Sequence, residues 1–188
     1  MIQLPVDYNA IRAALATEVA RVTNVPCVLE DPTVQNAPRP TNPGVAPYFS
    51  FKLTSPGIKS GDDHSTYDGT GTIYNRGGQR KMMVSFQCYA QQQETAYNLM
   101  ALWQGSLELE QVQENLRKAG IAVWVIGNVA DLSALLNTGY EGRAQMDCSF
   151  GIASNLTQDL GQIDTAEVTG KVTFDGGEAE VGPTDITV

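Results

Sequence analysis

The 188 residues contain a single histidine, His64. Imidazole is the side chain best suited to proton transfer near neutral pH, so imidazole-based general acid–base catalysis would rest on this residue alone. No Gly-x-Ser-x-Gly elbow supplies a nucleophile. The glycine-rich segments GTGT (69–72) and RGGQR (76–80) lack the Lys-Ser/Thr ending of a phosphate loop and do not open a helix. Cysteine is also scarce: Cys27, Cys88 and Cys148 are odd in number and far apart. That argues against a disulfide framework and for three reduced thiols. Positive charge is in deficit, with 12 Lys and Arg against 21 Asp and Glu. A net charge of −9 opposes wrapping nucleic acid through phosphate neutralisation, but suits a surface that DNA passes without sticking. No run of about 18 apolar residues is present to cross a membrane as a helix. The opening MIQLPVDYNAIRAAL has neither the charged region nor the apolar run of a signal peptide, so assembly in the cytosol is expected.

The chain is organised around residues 80–105, RKMMVSFQCYAQQQETAYNLMALWQG. Met82, Val84, Phe86, Cys88 and Ala90 alternate with Met83, Ser85, Gln87 and Tyr89, the period of a half-buried strand. From Gln91 the period changes. Ala96, Met100 and Trp103, with Tyr97, Leu99 and Leu107, make an apolar helical stripe. A strand feeding an amphipathic helix predicts a sheet with a helix laid over it. Upstream, Asp7 caps a helix with Ile11, Leu15, Val19 and Val22 inward and Arg12, Glu18 and Arg21 off the stripe; Asn24 and Pro26 end it. Residues 27–29 read as a short strand and 48–54 as an alternating one. Between them, five prolines in 31–47 predict an extended exposed loop.

Residues 55–71, SPGIKSGDDHSTYDGTG, are rich in turn formers and read as a second loop. Strands at 70–74 and 81–90 are then joined through NRGGQ, with Gly77 and Gly78 supplying the positive φ of a tight hairpin. Ser106 caps a further helix with Leu109, Val112, Leu116 and Ala119 inward and Gly120 as its stop. The apolar run at 121–129 predicts a central strand covered on both faces. Residues 131–137 predict a short helical turn, and 140–153 a strand with Ala144, Met146, Cys148, Phe150 and Ile152 on one face. Past residue 160, strands at 166–174 and 179–188 flank Asp175-Gly176-Gly177, a hairpin signal. Charge separates along the chain. Residues 159–188 hold seven acids and one base, Lys171, whereas 39–81 hold six bases and three acids.

Asp62, Asp63 and His64 form the one carboxylate–imidazole cluster. A Gly/Ser-rich loop gives metal ligands no rigid frame, so the three read as a solvated loop, and no metal or cofactor is expected. Trp103 and Trp124 lie within apolar patterns and read as core. The cations Arg76, Arg80 and Lys81 leave two readings open: a solvated hairpin end, or an electrostatic contact with an acidic partner surface.

Residues 118–150, KAGIAVWVIGNVADLSALLNTGYEGRAQMDCSF, resemble the neck or tail-terminator (tail completion) proteins of long-tailed bacteriophages, particularly contractile-tailed ones. The features that carry the likeness are Gly120-Ile121-Ala122-Val123, the Asp131-Leu132 turn, and Tyr140-Glu141-Gly142-Arg143-Ala144 leading into the last strand. The order of elements fits over residues 1–160, a tail-terminator-like domain, while the acidic arm 161–188 has no counterpart in it. The resemblance implies an α+β fold. The expected form is a mixed, mainly antiparallel β-sheet covered by two to three α-helices, with long Pro/Gly-rich loops and a C-terminal β-hairpin arm.

It further implies a virion structural protein without enzymatic activity. Such proteins form a ring, usually hexameric, at the head-proximal end of the tail. There the ring would end the tail tube and join it to the neck, with tube, sheath and head-side connector proteins as neighbours. DNA would pass through without specific binding, past a predominantly acidic channel wall, and no membrane is involved. Within such a ring, Arg76, Arg80 and Lys81 of one subunit are expected to face Glu178, Glu180 and Asp185 of the next. The alternative is a monomeric adaptor of a phage or a phage-like secretion assembly. A third reading, a small hydrolase using Asp62, Asp63 or His64, ranks below both.

Overall fold

Helix α1 (Tyr8–Thr23) starts where Asp7 accepts hydrogen bonds from the backbone N–H groups of Asn9 and Ala10, each at 3.0 Å. It stops where Asn24 turns left-handed at φ 55° and donates its N–H to the Ala20 carbonyl at 2.9 Å. The structure, a computed structural model, describes residues 6–29, 47–69, 72–136, 139–161, 165–174 and 177–187. After α1 come β1 (Cys27–Leu29), β2 (Tyr48–Tyr67), β3 (Ile73–Ala90), α2 (Gln93–Ser106) and α3 (Glu110–Lys118). Then follow β4 (Ile121–Ile126), β5 (Ala130–Asp131), β6 (Ala134–Leu136), β7 (Gly139–Asp159), β8 (Thr165–Phe174) and β9 (Gly177–Thr187).

The main sheet has the order β1-β2-β3-β7-β4, with β5 and β6 also paired to β7. Only β1 and β2 run parallel, so the fold is α+β with a mixed, mostly antiparallel sheet and three helices among the described residues. Strands β8 and β9 make a separate two-stranded sheet, paired from Thr165↔Thr187 to Phe174↔Gly177. Residues 175–176 of the expected turn lie outside the described residues, as does most of the proline-rich segment (30–46).

The alternation read at 81–90 and 140–153 becomes two adjacent buried rows. Met82, Val84, Phe86 and Cys88 lie beside Phe150, Cys148, Met146 and Ala144, and Phe49 and Phe51 extend the row onto β2. Helix α2 presses Ala96, Met100 and Trp103 onto β3 and β7. The aromatic centre is Phe86, whose ring lies 5.5 Å from Trp103, 5.7 Å from Phe51 and 6.3 Å from Phe150. Helix α1 packs against α2 and α3. Glu18, off the apolar stripe of α1, is nonetheless buried. Arg21 donates to it at 2.5 and 3.0 Å, and the Asn115 amide reaches across from α3 at 3.3 Å. These donors, Arg21 first, hold its pKa below the usual carboxylate value.

Several expectations are corrected. Residues 55–67 are strand and not loop, and 73–90 is one strand, so Gly77 and Gly78 sit mid-strand with no positive φ. The β2–β3 pairing runs on to Tyr67↔Tyr74, and beyond it Asp68 accepts from the Ile73 N–H at 2.9 Å. Strand β4 lies at the sheet edge, not its centre. Val125 is exposed, and Trp124 lies over Gly151 on the far face, 39% exposed. The run is apolar because one face packs on the core and the other carries an indole that needs a glycine beneath it. Residues 131–136 are extended along β7, not helical. The Ser106 hydroxyl donates to the Trp103 carbonyl inside α2, and α3 begins after Leu109 with no side-chain cap. Gly120, at φ +75°, does end α3.

Candidate functional site

The helices cover only part of the long strands. Beyond them β2, β3 and β7 continue as a three-stranded arm, from about Met83 to the Tyr67↔Tyr74 pair. Two features shape it. The β3–β7 ladder runs from Ile73↔Asp159 to Ala90↔Gly142 without a register shift. The β2–β3 ladder shifts three times, between Leu53 and Ser55, Ser55 and Ile58, and Ser60 and His64, each time with the extra residues on β2. Gly61, at φ +77°, lies in the last of these irregularities. A bulge of this kind re-aims the side chains beside it, and here Asp63 faces Arg80.

Four charges meet there. Arg80 holds Asp63 through two nitrogens, at 2.6 and 3.1 Å, Arg76 reaches it at 3.2 Å, and Lys59 stands at 3.9 Å. The Arg80 hydrogen bonds, then its charge and those of Lys59 and Arg76, hold the Asp63 carboxyl below its ordinary pKa. The group keeps a net positive charge, because three cations share one carboxylate. The two mid-strand glycines make room for it. A Cβ on Gly78 would lie 2.1 Å from the Asp63 carboxylate and 2.8 Å from Arg80, and one on Gly77 would lie 2.7 Å from His64. Their use is close approach rather than turning.

Of the residues singled out from sequence, Arg76 and Arg80 come together on one side of β3. Lys81 falls on the alternate side, paired in register with Ile58 and Gly151. Glu178 and Glu180 lie opposite Thr173 and Lys171 in the hairpin, and Asp185 lies opposite Glu167. The sequence reading missed Asp63 as the anchor. Its signal was an acid four residues from Lys59 and 17 from Arg80, and it needed the strand register before it meant anything. Asp62–His64 is therefore strand and not loop, with Asp62 and His64 exposed and Asp63 engaged by cations. Among the described residues no three His, Cys, Asp or Glu side chains gather as metal ligands would.

Two other surfaces stand out. A groove of about 530 Å³ between the helices is lined by Arg21, Val22, Leu102, Gly105, Leu109 and Val112. On the sheet face away from the helices, Tyr48 stacks on Tyr89 at 5.0 Å and Arg143 lies 5.3 Å over the Tyr89 ring. Arg143 also donates to Gln87 at 2.7 Å, and the Tyr89 hydroxyl bonds the same oxygen. Neither surface assembles a nucleophile with a base. The family model for phage neck terminator proteins matches residues 9–177, which takes in the sheet, the arm and β8.

The chain belongs to the phage neck terminator protein family.

A comparison with curated proteins finds no match. The role of a neck terminator protein is structural, in the neck of the virion tail. No helix among the described residues is long and apolar enough to cross a membrane.

Proposed function

We propose that this neck terminator forms a ring, a hexamer, at the head-proximal end of the tail, where it ends the tail tube and joins it to the head-side connector. The observation that carries this reading is the family match across most of the chain. The charge distribution fits it. A ring of identical subunits needs heterologous contacts, one patch meeting a different patch on the neighbour. The cationic group at Lys59, Arg76 and Arg80 and the acidic C-terminal hairpin are two such patches of opposite sign. The tube, the sheath and the connector are the protein partners, and DNA passes through an acidic lumen without specific contacts. The protein has no catalytic role in this scheme and assembles in the host cytoplasm.

The test is solution mass by light scattering after size exclusion, at low and high salt. The expected mass is near six times 20.2 kDa, with dissociation as salt rises and screens the contact. A monomer at both salts that binds isolated tails as single copies would favour the adaptor reading. A monomer that ignores tails altogether would refute both.

A further inference from the structure

The arm has two outer edges, and they differ. The β2 edge carries Pro56, Lys59, Asp62 and all three ladder irregularities, the devices by which an edge strand resists pairing. The β7 edge carries almost none of them. Strand β4 pairs with β7 only as far as Ile152, so, among the described residues, 153–159 (ASNLTQD) pair with β3 alone. That stretch has no proline, glycine, lysine or bulge, and its one charge is Asp159 at the far end. Ala153 and Gln158 are exposed on it.

The same chain holds a sheet of only two strands, β8 and β9, of 10 and 11 residues. An isolated hairpin is marginally stable in water and gains most from a third strand. One copy therefore presents an unprotected seven-residue edge and, separately, a hairpin lacking a third strand. Only five residues separate β7 from β8, yet β8 pairs with β9 and not with its own β7.

We propose that residues 153–159 of β7 receive a strand of the C-terminal hairpin from a second copy of this chain. The proposal rests on the ring reading above and specifies its joint. Main-chain hydrogen bonds give such a joint its affinity. Charge favours this hairpin as the arriving element: it is acidic, and Arg76, directly across β3–β7 from Leu156, lies one strand behind the receiving edge. Repeated around a closed ring, each copy gives a hairpin and accepts one.

The experiment places the photo-cross-linker benzoylphenylalanine at Gln158, and in a second full-length chain at Ala153. Each is co-refolded with an equal amount of ¹⁵N-labelled wild type, and the oligomer is isolated, irradiated and mapped by mass spectrometry. The expected result is cross-links from either position into residues 165–187, with about half joining chains of different isotope content. An intact oligomer whose cross-links stay within one chain, or fall outside 165–187, would overturn the strand-addition joint and leave the ring standing. A protein that stays monomeric, with amides 153–159 exchanging freely, would overturn both.

Discussion

Replacing Phe86 with alanine removes a side chain that packs against residues of β2, β7 and α2. Phe86 is fully buried, with Phe51, Trp103 and Phe150 around it at ring distances of 5.5 to 6.3 Å. Two of these neighbours sit on strands held by hydrogen-bonded ladders and the third on a packed helix, so the walls of the cavity have little room to close. A Phe→Ala change in such a core costs about 3–5 kcal/mol, and rigid walls place this one in the upper half. Part of that cost is the edge-to-face pairing of the ring with Trp103 and Phe150, worth about 0.5–1.5 kcal/mol per pair beyond the area buried. For a chain of this size each kcal/mol moves Tm by about 2–4 °C, so a loss of about 4–5 kcal/mol lowers Tm by about 8–20 °C. Phe86→Leu keeps most of the volume and should cost only about 1–1.5 kcal/mol. Ile58→Ala, on the exposed arm, should stay within about 0.5 kcal/mol. Urea titration followed by circular dichroism and tryptophan fluorescence measures all three. If Phe86→Ala falls within about 1 kcal/mol of wild type, or costs no more than Phe86→Leu, the reasoning about a rigid aromatic centre is wrong.

Three further outcomes are expected. Because the folded pKa of Asp63 is depressed, its contribution to arm order is complete above the ordinary value of 3.8 and is lost as pH falls through the lower folded value. Hydrogen-exchange protection of residues 55–67 should persist at pH 5 and fade in stronger acid, and Asp63→Asn should abolish that dependence; an unchanged profile in the variant would exclude the carboxylate as its source. Burial pushes the thiols of Cys27 and Cys88 up to about 12 and that of Cys148 up to about 11, so a thiol reagent at pH 8 should leave native protein unlabelled for minutes and modify all three in urea. Fast reaction of Cys88 in native protein would contradict the packing described. Asp7→Ala should cost about 1 kcal/mol by leaving the first turn of α1 uncapped, and Asp7→Ser should restore most of it; equal loss in both variants would mean the cap is not the cause.

What could be read from sequence followed from whether one residue's neighbours settle its state. The two-residue period at 82–90 and 144–152 and the four-residue steps of α1 depend on burial of a single face, and both were legible. The cap at Asp7 and the stop at Gly120 are local backbone chemistry and were legible too. The outer strand of the arm was hidden because β2 is exposed on both faces there and interrupted by bulges, so Pro56, Gly57 and Gly61 looked like a loop. Gly77 and Gly78 were read as turn formers because glycine signals either a turn or a close approach, and only the cross-strand position of Asp63 and His64 separates the two. Trp124 was misplaced for a related reason: its partner, Gly151, is distant in sequence and carries no apolar signal. The cationic group was half visible. Arg76 and Arg80 stood out as charges, and nothing nearby in sequence named the carboxylate that gathers them.

The unshifted β3–β7 ladder also has a mechanical meaning. Its 18 residues of β3 extend about 60 Å, while the 14 residues of α2 extend only about 21 Å. The end of the ladder toward Ile73 therefore reaches past α2, like a beam anchored at one end. A pull on its tip along the strand direction loads the cross-strand bonds side by side, so they share the force and no single bond must yield first. A sideways push meets far less resistance, because it bends a sheet one layer thick. Such an arm transmits load stiffly along its strands and gives way laterally.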